Sequence, residues 1–219
     1  MTNKVVLFDL DGTLFDSGLD FEHIINKMFA ARQQGKLDYP EFRKIISAGS
    51  EAMIKHAFQL TANDPKLPAL LTEFRKYYLQ LMGERAVLFP GITELLDSLD
   101  QQHITWGIVT NRLERYIVPF LTKYALHKRP ACIVGADTTS KRKPNPEPLL
   151  HAAKLLNCKP ENCYYVGDHM NDINAAKAAK MPCIAVSWGY HPSLAILQAL
   201  QPDFIVDTPA KILDIITAN

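Results

Sequence analysis

The stretch Lys4–Phe8 carries a continuous apolar run with two valines, and Asp9 ends it. An unbroken run of this length predicts a strand buried on both faces, as in a parallel sheet. Gly12 then breaks the pattern, so a loop is expected at the strand's carboxyl end. From about Asp20 to Met82 the periodicity becomes helical. Phe21, Ile24, Ile25 and Met28 form one set, and Phe42, Ile45 and Ile46 a second after Pro40. Met53, Ile54, Ala57 and Phe58 form a third, and Leu70, Leu71, Phe74, Tyr77, Tyr78 and Leu81 a fourth. No strand-like alternation interrupts them, which predicts an all-helical stretch of about four helices.

After Phe89-Pro90-Gly91 the texture alternates. Strands are predicted at Thr105–Val109, Ala131–Val134, Cys163–Val166, Pro182–Val186 and Phe204–Val206. Helices are predicted at Ile92–Leu99, Arg115–Tyr124, Pro146–Leu156 and Asn171–Lys180, with further ones from about Ser193 and from Pro209. Strands alternating with helices imply a parallel sheet covered on both faces. The fold class is therefore α/β, a Rossmann-like parallel core with an inserted all-helical domain. The expected boundaries are 1–16 and 86–219 for the core and 17–85 for the insert.

Composition narrows the function classes. Hydrophobic residues at 47% and charged residues at 21% suit a globular protein with a real core. A formal net charge of +1 leaves no basic stripe for a phosphate backbone, so nucleic acid is not expected as a partner. The first apolar run is too short for a signal peptide, and no run approaches a membrane span. Cys132, Cys158, Cys163 and Cys183 lack metal-site spacing and are expected to be reduced core thiols, which suggests a cytoplasmic protein.

Ligands of open parallel sheets bind beyond the carboxyl ends of the strands. The first strand delivers Asp9-Leu10-Asp11-Gly12-Thr13 there, and the strand ending at Val109 delivers Thr110-Asn111. The strand ending at Val166 delivers Gly167-Asp168, then Asn171-Asp172. Lys141-Arg142-Lys143-Pro144 precedes a helix. A carboxylate can attack phosphorus to form an aspartyl-phosphate, but its approach to a phosphate dianion needs a bridging cation. Mg²⁺ prefers such hard oxygen ligands: the carboxylates of Asp9 and Asp168 and the carbonyl of Asp11. Lys143, Thr110 and the amide of Asn111 can engage the phosphoryl oxygens. Asp11, two residues past the nucleophile, is spaced to protonate the leaving oxygen. Taken singly, each has a plainer reading: a turn, a strand end, a surface lysine, an acidic first turn of a helix.

Asp9-Leu-Asp-Gly-Thr-Leu14, Thr110, Lys143-Pro144 and Gly167-Asp168-x-x-x-Asp172 together resemble the four motifs of the haloacid dehalogenase superfamily. The helical insert resembles that family's type-one cap, and the resemblance covers essentially the whole chain. Phe89-Pro90-Gly91, Val109-Thr110-Asn111, Lys143–Leu149 and Val166–Asp168 are similar to the phosphoglycolate phosphatase branch. Ile46–Gly49 and Trp188-Gly189-Tyr190 are at least as similar to a subgroup acting on N-acetylmuramic acid 6-phosphate. The resemblance implies Asp9 as nucleophile and Asp11 as acid/base. It implies Asp9, Asp11 and Asp168 as Mg²⁺ ligands with Asp172 supporting them, and Thr110, Asn111 and Lys143 as phosphate ligands. Arg112 departs from the lysine common in that branch and reads as tuning.

The expected partner is a small phosphorylated metabolite, 2-phosphoglycolate first and N-acetylmuramic acid 6-phosphate second. A monomer is expected, with a dimer left open. The same scaffold can host a sugar-phosphate mutase or a dehalogenase, and Asp11 argues against the latter. A non-catalytic binding module would be expected to have lost a motif carboxylate, and none is missing. His169 reads as solvated or substrate-facing, and Phe74, Tyr77 and Tyr78 as core of the helical insert.

Overall fold

A computed structural model describes residues 4–191 and 193–218. Residues 1–3 and 219, the outer limits of the expected core, lie outside the described residues. Contacts divide the chain into two compact units. One comprises the residues up to Phe15 together with those from Leu88 onward; the other is Asp16–Val87.

In the first unit, β1 is Val5–Phe8, β4 Thr105–Val109, β5 Ile133–Val134, β6 Cys163–Gly167, β7 Cys183–Val186 and β8 Phe204–Val206. These strands form a parallel six-stranded sheet in the order β5-β4-β1-β6-β7-β8. Every residue of β1 is buried, which is why it reads as apolar without alternation. The helices of this unit are α5 (Ile92–Gln101), α6 (Glu114–Lys123), α7 (Glu147–Leu155), α8 (Met170–Ala179), α9 (Leu194–Ala199) and α10 (Ala210–Thr217). A core of Leu7, Val109, Leu149, Ala152, Tyr165, Ile173 and Ala176 fills part of the space between sheet and helices. Cys132, Cys163 and Cys183 are buried thiols and Cys158 is half-buried; none is in a disulfide.

The short strand β5 corrects the longer one expected at Ala131–Val134. Ala131 still donates to Trp106 O at 2.8 Å, and Cys132 accepts from Ile108 at 2.9 Å. The ladder's bonds therefore reach back to Ala131, but regular strand geometry is confined to Ile133–Val134. A further pair of two-residue strands, β2 (Phe15–Asp16) and β3 (Val87–Leu88), gave no sequence pattern because two residues cannot carry a period.

The second unit is built from α1 (Gly18–Ala30), α2 (Tyr39–Arg43), a 3-10 turn at Ile46–Ala48, α3 (Ser50–Ala57) and α4 (Leu67–Leu81). Phe21 of α1 lies 5.8 Å from Tyr78 and 6.2 Å from Phe74 of α4, ring centre to ring centre. Phe74 and Tyr78 are core as the spacing predicted, while Tyr77 is half-buried. Gly49 joins the 3-10 turn to α3 at φ +93°, a conformation L side chains rarely adopt. Among the described residues no helix is long and apolar enough to cross a membrane.

Asp20 ties this unit together. Its buried carboxylate accepts from Gly83 N at 2.5 Å, Arg85 N at 2.8 Å and Ala86 N at 3.0 Å. The chain leaving α4 thus satisfies its backbone on α1. Asp20→Ala strands these donors, of which the buried Ala86 N costs about 1–3 kcal/mol when unpaired. The variant is expected to lose roughly 3 kcal/mol of stability, read as a lower urea midpoint. An unchanged midpoint would refute the role.

Candidate active site

The sheet register sets the site. Phe8 pairs with Ile108 of β4 and with Val166 of β6. One step further on, Asp9 stands beside the ends of both neighbours, and its N–H bonds Val166 O at 2.9 Å. Thr110 and Asp168 follow β4 and β6 at nearly the same level. Adjacent strands are about 4.8 Å apart, so these side chains necessarily converge. Carboxylate oxygens of Asp9, Asp168 and Asp172 all lie within 4.8 Å of one another.

Lys143 occupies the centre with 2% exposure. Its Nζ lies 2.8 Å from Asp9 Oδ1, 2.7 Å from Asp172 Oδ1, 2.7 Å from Tyr165 Oη and 3.0 Å from Val109 O. Its sequence neighbours Lys141 and Arg142 are both exposed. Asn111 Nδ2 donates to Lys143 O at 3.0 Å and so holds the lysine's backbone, while Asn111 Oδ1 is buried without a hydrogen-bond partner. The Thr110 hydroxyl accepts from Arg112 N at 3.2 Å, leaving its proton to donate.

Asp168 is fully buried. Thr13 Oγ1 donates to its Oδ1 at 3.1 Å, and Tyr190 N to its Oδ2 at 2.7 Å. Glycines press on it from two sides. A Cβ on Gly12 would stand 2.4 Å from Asp168 Oδ2, and one on Gly189 2.1 Å from Asp168 Cβ. Gly12 also has φ +88°. Sequence reasoning gave Thr13 and Tyr190 no role. Tyr190 follows β7 by four residues, and its position beyond a strand's carboxyl end is the signal that could have found it. Trp188 Nε1 donates to Thr13 O at 3.1 Å, closing the same support.

Asp172 is engaged on both oxygens: Oδ1 by Lys143 and by Tyr165 Oη at 3.2 Å, Oδ2 by His169 N at 3.0 Å. His169 caps α8, its Nδ1 accepting from Asn171 N at 3.3 Å. His169 is half-buried in that cap, and burial lowers its pKa. The Asp11 carboxylate stands outside the carboxylate cluster, paired with Arg112 at 2.5 Å.

The electrostatics are unbalanced. Burial pushes Asp9 up to about 7; Lys143 pulls it down, while Asp172 and Asp11 push it further up. Burial, then Asp172 and Asp9, raise Asp168 well above the carboxylate range, against the Tyr190 N–H and the Thr13 hydroxyl. Burial opposes the Lys143 ammonium, but Asp172 and Asp9 outweigh it, so its pKa is raised. The lysine is thus held charged while Asp9 is pushed toward neutrality. These two effects conflict if Lys143 is the sole counter-charge. Three buried carboxylates and one ammonium leave negative charge uncompensated, and an all-oxygen donor set of this kind fits a hard divalent cation.

Gly189→Ala tests how finely Asp168 is held. A new Cβ must displace Asp168 rather than a flexible side-chain tip, and a misplacement of about 1 Å can cost roughly 10²-fold in rate. The variant is expected to fold and to bind a hard divalent cation more weakly than the wild type in a calorimetric titration. Wild-type affinity for the metal would refute the cradle.

A family model described as haloacid dehalogenase-like hydrolase matches residues 6–186. The chain is 39% identical over 209 residues to a phosphoglycolate phosphatase of Xanthomonas campestris, covering 95% of this chain and 94% of that one. It is 34% identical over 217 residues to an N-acetylmuramic acid 6-phosphate phosphatase of Pseudomonas aeruginosa, covering 99% and 96%. A solved structure from Haemophilus somnus, described as a predicted phosphoglycolate phosphatase, aligns with TM-score 0.86 at 26% identity over 98% of this chain and 99% of that one. The parallel sheet, the convergent carboxylates and these matches agree: the chain belongs to the haloacid dehalogenase-like hydrolase family.

Proposed function

We propose that this hydrolase is a Mg²⁺-dependent phosphatase that cleaves a small phosphate monoester through a phosphoaspartate on Asp9. The observation that carries the reading is the buried Asp9 at the end of the central strand, with Lys143 Nζ 2.8 Å from its Oδ1. A carboxylate beside a fixed cation is a nucleophile prepared for a dianionic electrophile. With Oδ1 held by Lys143, Oδ2 attacks phosphorus, and the bond from phosphorus to the ester oxygen breaks. The Thr110 hydroxyl and the Asn111 N–H donate to the phosphoryl oxygens. Asp11 gives its proton to the departing oxygen, then takes one from the water that opens the acyl-phosphate, which restores Asp9 as a carboxylate. Mg²⁺ held by the Asp9 and Asp168 carboxylates and the Asp11 carbonyl, with Asp172 behind them, would neutralise charge on the transferring group. Residues 17–85 act as the cap from which selectivity comes, and 1–16 with 86–219 as the catalytic core. The protein works in the cytoplasm as a monomer, on a metabolite rather than on nucleic acid or membrane.

Phosphate release from p-nitrophenyl phosphate is expected to vanish in Asp9→Asn while circular dichroism stays unchanged, since an amide cannot form the acyl-phosphate. Chelation is expected to stop the wild type, and Ca²⁺ not to replace Mg²⁺, because its looser coordination misplaces the nucleophile. Substantial release by folded Asp9→Asn protein, or a full rate after exhaustive chelation, overturns the mechanism.

For the substrate, the relatives favour 2-phosphoglycolate, the compound named for the Xanthomonas campestris protein. N-acetylmuramic acid 6-phosphate is the second reading. Near Gly49, Lys44 pairs with Glu41 at 2.6 Å and Lys55 with Glu51 at 2.6 Å. Both compounds carry a carboxylate, so these cations, already paired to carboxylates, do not discriminate between them. Comparing kcat/KM for both compounds on one preparation decides, with 2-phosphoglycolate expected to be faster. If both fall far below a third sugar phosphate or a nucleotide, the substrate assignment fails and the reaction class stands.

A further inference from the structure

Arg112 stands two residues past the end of β4, and its side chain is 4% exposed. A guanidinium held this far from water needs a reason, because a buried charge is costly unless it is paired and hydrogen-bonded. The partner is Asp11. Arg112 Nη2 donates to Asp11 Oδ1 at 2.5 Å, and Nε donates to Oδ2 at 3.2 Å. Both carboxylate oxygens are thus taken by one planar fork, an arrangement that fixes the plane of the carboxylate as well as its position.

The fork is itself immobilised. Its central carbon lies 3.9 Å from the ring centre of Phe120, which is fully buried and packs edge-on against Phe15 at 4.8 Å. The backbone is held too: Arg112 N donates to Thr110 Oγ1 at 3.2 Å, and Arg112 O accepts from Ala136 N at 2.9 Å. The arginine therefore spans from the phosphate-binding Thr110 to the loop after β1. Asp11 has 22% side-chain exposure and stands outside the cluster of Asp9, Asp168 and Asp172.

We propose that Arg112 is the positioning residue for Asp11: its Nη2 bond to Oδ1 fixes the carboxylate, while Oδ2 gives up the longer, 3.2 Å bond to Nε when it carries the proton exchanged with the leaving oxygen. The inference rests on the reading of Asp11 as the acid/base. Lysine at this position would keep the charge but not the plane, because an ammonium is a point charge on a flexible stem.

The test uses phosphate release from a series of aryl phosphates, from p-nitrophenyl phosphate, whose leaving group needs little protonation, to phenyl phosphate, which needs more. Asp11→Asn comes first: its loss is expected to steepen along the series, and an even loss rejects the acid role of Asp11 independently of Arg112. Arg112→Lys and Arg112→Met are then expected to lose about 10-fold on phenyl phosphate and less than about 2-fold on p-nitrophenyl phosphate, since proton transfer contributes roughly 10²–10⁴-fold in total. Inhibition by inorganic phosphate is expected to be unchanged. In the Asp11→Asn background Arg112→Lys is expected to have no further effect on either ester, because the two residues act as one unit. If Arg112→Met fails to fold, Arg112→Lys and the double variant still decide. An even loss along the series, no loss, or additive losses in the double variant overturns the inference.

Discussion

An ammonium without water must be surrounded by oxygens, and Lys143 takes its own from three separate strands and a helix. Asp9 follows β1, Val109 ends β4, Tyr165 lies within β6, and Asp172 belongs to the first turn of α8. Each of those segments is anchored by the packed sheet and its helices, so the position of one nitrogen is determined by the whole α/β unit. Lys143 reaches this point from a loop, and Asn111 holds that loop by its carbonyl. The dependence also runs the other way. Withdrawing Lys143 would leave Asp9 and Asp172 facing each other across a buried space, where like charges repel strongly.

The same arrangement divides labour among chemically identical residues. Four aspartates converge on one sheet edge, yet no two have the same surroundings. Asp172 has both oxygens occupied, and Asp168 receives a backbone N–H and a hydroxyl under pressure from Gly12 and Gly189. Asp9 shares one oxygen with the lysine, and Asp11 faces the guanidinium of Arg112. Environment, rather than residue type, tells these four carboxylates apart.

Much of this was legible in the sequence because the fold places chemistry where strands end. Asp9, Thr110 and Asp168 each follow an apolar run, and an apolar run is visible without a partner. The strands Thr105–Val109 and Phe204–Val206 and the start of α9 after Ser193 were legible for the same reason. What stayed hidden depends on pairs far apart in the chain. Tyr165 reads as one more core aromatic of β6, and nothing local says that its hydroxyl meets Lys143. Arg112 reads as a departure from a motif, and its fork on Asp11 exists only once β1 and β4 lie side by side. His169 reads as a loop residue beside Asp168, and that its ring caps α8 shows only once the backbone turns into that helix.

The register of β1 also affects how the protein is made. Val5 pairs with Thr105 on one side and with Cys163 on the other. A ribosome extends a chain at roughly 5–20 residues per second, so this apolar strand waits on the order of ten seconds for its first neighbour. During that wait its backbone groups are unpaired and open to other chains. Helices make their hydrogen bonds locally, so the segment Asp16–Val87 can organise in the meantime, and the strand that later carries Asp9 is left to chaperones or to chance until β4 emerges.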